Sequence, residues 1–151
     1  PHAPPVPPAR DPNWLLGEAL TNLYVGLARD QRGEKLSAAR FIQGYAVDRA
    51  VELAEFIQAS PTAERDIFAP ERRFEQRHPA IASHLAAWMQ GYERNPQSAL
   101  ALLAFLEQHF DVNPAMARAI RQLCARQQKG DRKDEHHKTL SQGQNPHPQS
   151  A

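Results

Sequence analysis

The side chains that could do chemistry in this chain are concentrated on two predicted helices. Glu18, Thr21, Asn22 and Arg29 recur at three- and four-residue spacing, so they share one face of the first. Arg40, Asp48, Arg49 and Glu52 do the same on the second, with Tyr45 beside its apolar stripe. Two readings stay open. In one, Glu18, Asn22, Tyr45, Asp48 and Arg49 form the polar wall of a cleft. Alternatively, both faces are solvated and laced with i,i+4 pairs. Arg72, Arg73 and Arg77 could grip an anion, or form the wet side of a short helix that Glu71 and Glu75 partly neutralise.

Other candidates are negative. The chain has no glycine-rich phosphate loop, no Gly-x-Ser-x-Gly, no Cys-x-x-Cys, no His-Glu-x-x-His and no Asp-x-Asp pair. No catalytic residue and no metal ligand is therefore assigned. His136 and His137 are adjacent in a polar stretch, a poor ligand pair without a fixed third partner. Cys124 falls on an apolar stripe, where a small buried hydrophobe is expected rather than a nucleophile.

The elements that would position these residues read as helices. Asp11-Pro12 offers a capping carboxylate followed by Pro at the first helical position. Leu16, Leu20, Leu23 and Leu27 then mark one apolar face, and Gly33 supplies a turn. A second helix of about 22 residues carries Ile42, Ala46, Ala50, Leu53 and Ile57, with Phe41 and Tyr45 alongside. The short link makes the pair an antiparallel hairpin. A third long helix is expected from Pro79, carrying Ile81, Leu85, Trp88 and Met89. Asn95-Pro96 and Asn113-Pro114 start a fourth and a fifth.

Composition points the same way. Among 151 residues, Ala occurs 24 times and Leu 14 times, while Val, Ile and Thr together reach 13, a balance that favours helix over sheet. The expected fold is all-α, an antiparallel bundle of about five helices with disordered termini. Residues 1–11, with five prolines in the first eight, read as an extended linker. Residues 12–127 form the bundle domain. Residues 128–151, with almost no apolar side chain, read as a disordered polar tail. Eighteen Lys and Arg against 17 Asp and Glu give a net charge of +1, without the basic excess of a nucleic-acid binder. No apolar run spans a bilayer, which argues against a membrane partner. The single cysteine and the lack of a signal-like apolar segment predict a cytoplasmic setting. A start at Pro1 fits a processed or excised domain.

The order of these parts resembles a known architecture. Asn13-Trp14-Leu15-Leu16, Asn22-Leu23-Tyr24, then Arg32-Gly33-Glu34 before a long Leu/Ala helix, is similar to the C-terminal helical domain of minimal nucleotidyltransferases, the lincosamide-type antibiotic nucleotidyltransferases among them. Arg72-Arg73-Phe74, His78-Pro79 and Ala99-Leu100 follow the same rhythm, so the likeness runs over about residues 12–126. In that family a preceding α/β domain carries a Gly-Ser motif and the Asp-x-Asp pair. Neither is present here. The resemblance thus implies a non-catalytic domain that dimerises and shapes a cleft for a small-molecule acceptor substrate, with Glu18, Asn22, Tyr45, Asp48 and Arg49 as its substrate-binding residues. Mg²⁺ and nucleoside triphosphate would enter only with a catalytic domain. Trp14, Tyr24, Val25 and Phe41 are the expected homodimer interface, since two long amphipathic helices carry more large apolar surface than one seam hides. The alternative is a stand-alone helical interaction module without a ligand.

Overall fold

The computed structural model describes residues 10–60, 66 and 68–142. Among them every regular element is a helix, so the all-α bundle is what the chain forms. Helix α1 spans Pro12–Gln31. It starts where expected, with the Asp11 carboxylate accepting from the Asn13 N–H at 2.7 Å and Pro12 in the first turn. It stops at Gly33, whose φ of 81° is open to glycine, while the Gly33 N–H donates to the Asp30 carbonyl. Arg10, assigned to the linker by composition, is already part of the fold and pairs with Glu52 at 3.1 Å. Residues 1–9 lie outside the described residues.

The second arm of the hairpin runs over residues 35–57: α2 (Lys35–Ala39), a π-helical stretch (Arg40–Ala46) and α3 (Val47–Ile57). The π-stretch has a physical reason. Ala38, Ile42, Ala46, Ala50 and Ala54 are all completely buried and spaced by four. On a helix of 3.6 residues per turn such a stripe drifts by roughly 40° per step. One wider stretch rotates it back toward α1. The same stretch comes very close to α1 at Gly26, where an added Cβ would stand 2.6 Å from Ile42 Cγ1 and 3.1 Å from Phe41 Cβ. Glycine is required there by space, not by backbone angle.

The third long helix is corrected. The segment from Phe74 to Trp88 forms three single turns, α4 (Phe74–Arg77), α5 (Pro79–Ala82) and α6 (Leu85–Trp88). The Ser83 hydroxyl donates to the Ala80 carbonyl at 2.6 Å and the His84 N–H reaches back only three residues, to Ile81. Both compete with helical continuation. The break lets Ile81 and Trp88 both enter the core, while Met89, expected on the same stripe, is 54% exposed.

Helices α7 (Asn95–His109) and α8 (Pro114–Gln142) complete the bundle. Leu102, Leu103, Phe105 and Leu106 of α7 and Ile120, Leu123 and Cys124 of α8 close over Leu15, Leu23 and Leu27 of α1. The tail is corrected as well: residues 128–142 continue α8 as helix, although the described side chains of 129–141 are all exposed. Residues 143–151 lie outside the described residues. No helix of the described residues is long and apolar enough to cross a membrane.

Candidate functional site

One face of the hairpin collects most of the expected site residues. Trp14, Glu18, Asn22, Val25 and Arg29 follow one another at three- and four-residue steps along α1. The neighbouring arm contributes Phe41, Tyr45, Arg49 and Glu52. Contacts lock the two rows together. Arg10 lies over the Trp14 ring, 5.3 Å from its centroid, while pairing with Glu52. At the other end Arg29 lies 4.5 Å over Phe41, its Nη1 donating to the Ser37 hydroxyl at 2.7 Å. Phe41 and Tyr45 meet edge to face at 5.2 Å. Arg49 Nε stands 2.7 Å from Glu52. Trp14 and Tyr45 remain 48% and 49% exposed, and Val25 and Phe41 are half-buried.

Two of the five expected substrate residues border a described cleft. Asp48 and Arg49 border a cleft of about 360 Å³ with Arg10, Phe68, Pro70 and Glu71. Glu18, Asn22 and Tyr45 are not among its walls. Loss of solvent at the cleft wall raises the Asp48 carboxyl above its ordinary range; Arg49 opposes this and Glu71 reinforces it.

The four expected interface residues divide too. Tyr24 is ten residues from Trp14, which turns it roughly 80° away around α1. It borders a shallow groove against Asn113, Ala115, Met116 and Ala119 of α8. Trp14, Val25 and Phe41 remain together on the hairpin face.

The arginine cluster is dispersed. Arg72 pairs with Asp66 at 3.1 Å, and Arg73 is exposed with a φ of 57°. Arg77 is buried and fastened to Glu55. That carboxylate is a hub which sequence reasoning missed. Its Oε1 accepts from Arg77 Nη1 at 2.6 Å, from the Ser60 hydroxyl at 2.7 Å and from His78 Nε2 at 3.0 Å; its Oε2 accepts from the Ser60 N–H at 3.0 Å. Arg77 Nη2 also donates to the Pro70 carbonyl. Burial alone would raise the Glu55 carboxyl, but the hydrogen bonds from Ser60 and His78 override it and hold the group at about 2. The hub fastens the segment after α3 to α4. It opens onto no cleft among those described above.

A second buried network joins Asp30, Gln43 and Asn95. The Asn95 amide donates to Asp30 Oδ1 at 3.1 Å and to the Lys35 carbonyl at 3.2 Å. Gln43, presented by the π-stretch, donates to Asn95 Oδ1 at 2.8 Å and accepts from the Gly91 N–H at 2.8 Å. Asn95 therefore holds three elements together rather than capping α7.

Cys124 is buried as expected. Burial first, then the Asp30 charge, pushes its thiol up to about 11 against the pull of Arg121, so it stays protonated. Among the described residues no group of three or more His, Cys, Asp or Glu side chains is placed to hold a metal ion. No protein-family model, no curated protein and no solved structure matches this chain.

Proposed function

We propose that this chain is a helical association domain that pairs with a second copy of itself through the face of the first hairpin. This is the dimerisation role implied by the resemblance to nucleotidyltransferase C-terminal domains. The observation that carries it is the arginine–aromatic row Arg10, Trp14, Arg29, Phe41 and Tyr45. Interface cores are enriched in Trp, Tyr, Phe and Arg and depleted in Lys, and Lys is missing from this row. Here the aromatic rings are pre-set by the arginines over them, so little side-chain freedom is lost on contact.

The size is adequate. A face two helices wide and as long as α1 covers roughly 20 by 30 Å, or about 600 Å² per copy, at the lower end of specific interfaces. Glu18 and Arg29 share one face of α1 about three turns apart, so a two-fold axis can set the acidic end of one copy against the basic end of the other.

Sedimentation of the full chain at micromolar concentration tests the reading. A dimer is expected, and Tyr45→Ala with Val25→Asp should dissociate it while the helical circular dichroism persists. A chain that stays monomeric at high concentration overturns it.

The cleft holding Asp48 and Arg49 favours a second reading, contact with a small polar acceptor molecule. Saturable binding of a hydroxylated small molecule that Asp48→Asn and Arg49→Ala both abolish would support that role.

A further inference from the structure

The net charge of +1 hides a segregation along α8. At about 100° per residue, Ala117, Ile120, Leu123 and Cys124 turn one side of this helix into the core. Arg126, Lys129, Arg132, Lys133 and His136 fall on the other side, within an arc of roughly 120°. All five are exposed, and among the described residues none of them makes an ion pair. Asp131, Asp134 and Glu135 continue the core side instead, where Lys138 follows the last two at four and three residues.

A solvated helix gains by setting opposite charges three and four residues apart, and like charges at that spacing cost a similar amount. Lys129 has Arg126, Arg132 and Lys133 at those spacings. Of the five, only Arg132 has an acidic neighbour there, Glu135. The repulsion is left for a partner to relieve. The described side chains of 129–141 are all exposed, so the stripe stands clear of the bundle.

What the stripe lacks narrows the partner. Between residues 126 and 141 Leu140 is the one large apolar side chain, too little to seat a helix in a lipid interface. No Phe, Tyr or Trp is present there for unpaired bases to stack on. Closely repeated positive charge is the complement of a phosphodiester backbone. A helix with its side chains is about 10–12 Å across, and the major groove of B-form DNA, about 12 Å wide, admits one.

We propose that α8 docks through this face in the major groove of double-stranded DNA and holds it by its phosphates, without regard to sequence. Arg126 and Lys133 on one edge of the arc and Arg132 on the other reach the two strands. Lys129 and His136 face the groove between them, and the acidic side points out to solvent. The face belongs to α8 and not to the hairpin, so it stands or falls independently of the dimer.

Fluorescence anisotropy of a labelled mixed-sequence duplex of about 20 base pairs, titrated with the full chain, tests it. Saturable binding is expected at about 50 mM salt, with log affinity falling against log salt at a slope of roughly −3 to −4 for four cations. Lys129→Glu with Lys133→Glu should weaken binding at least tenfold and make the slope shallower by about two. Arg40→Glu with Arg72→Glu makes the same change in net charge at exposed positions of other elements and should leave the affinity nearly unchanged. Circular dichroism confirms that each variant is folded. Absence of saturable binding overturns the proposal, as does equal weakening by the second pair, which would mark diffuse charge attraction. Tighter binding of a duplex RNA, of polyglutamate or of phosphatidylserine vesicles than of the DNA overturns it too, and would assign the face to that partner instead.

Discussion

Glu55 and Asp30 are both carboxylates taken largely out of water, and their surroundings differ in one respect. Glu55 is met by Arg77, His78 and two donors of Ser60, and its carboxyl is held at about 2. Asp30 is met by one neutral amide and is pushed the other way. Burial pushes both upward. What decides the sign is whether donors and positive charge compensate it. The contrast also separates their effects: the carboxylate met by several donors fastens the fold, whereas the one met by a single neutral amide bears the cost of its burial.

Removing Glu55 should have the largest effect. Glu55→Ala leaves Arg77 and His78 buried without their acceptor, and breaking a buried pair from one side costs about 3–5 kcal/mol. Chemical denaturation measures it. A loss below about 1 kcal/mol would mean that water replaces the hub, and the contrast with Asp30 would then collapse.

Next comes a packing control at the hairpin that carries both carboxylates. Gly26→Ala inserts a methyl 2.6 Å from Ile42 Cγ1, and overpacking of this kind costs about 1–3 kcal/mol. An unchanged midpoint would show that the π-stretch can retreat from α1.

The two carboxylates should also give opposite pH profiles. The Glu55 folded value of about 2 lies below its ordinary 4.5. Its stabilisation is therefore complete above pH 4.5 and is lost as pH falls toward 2, on the order of 3 kcal/mol over the interval. For Asp30 the folded value is raised above 3.8, so its burden is present at higher pH and is relieved as pH falls through that raised value. Asp30→Asn should thus be neutral or stabilising near pH 7, by up to about 1 kcal/mol, with the gain fading on acidification. Denaturation midpoints of both variants between pH 3 and 7 give the two slopes. Parallel slopes would break the comparison.

How far the sequence carried these features depends on distance along the chain. The leucine stripe of α1 and its Asp-Pro start are local signals, and both were legible. Asn95 was read as the start of a helix because Asn precedes Pro. Its burial comes from Gln43 and Asp30, 52 and 65 residues away, which no local pattern reports. Glu55 and His78 are 23 residues apart across an irregular segment, so no local spacing joins them. The hairpin face was partly legible. Three- and four-residue spacing put Glu18, Asn22 and Arg29 on one face of α1, while large apolar surface alone also drew in Tyr24, which borders the groove toward α8. For residues 128–142 the missing apolar side chains suggested disorder. The Lys, Arg, Gln and Glu in that stretch lose little on becoming helical, and that weaker signal was the one the chain follows.

The smallest effect is expected at the far end of α8, where helix persists without burial. Its described residues from Lys129 to Ser141 are all exposed, Leu140 at 62% included. Exposed helix contributes little to global stability because most of a helix's stability comes from its packed face. A chain ending at Gln128 should therefore unfold within about 0.5 kcal/mol of the full chain, the range of ordinary surface changes. The same truncation removes Asp131, Asp134 and Glu135, which border a cleft together with Asp30. The thermal midpoint should hold while the Asp30 carboxyl, freed of the Asp131 charge, falls back toward its ordinary range, as read by NMR titration of the side chain. If the midpoint falls, the polar half of α8 is part of the cooperative fold. If the Asp30 titration does not move, burial alone sets its difference from Glu55.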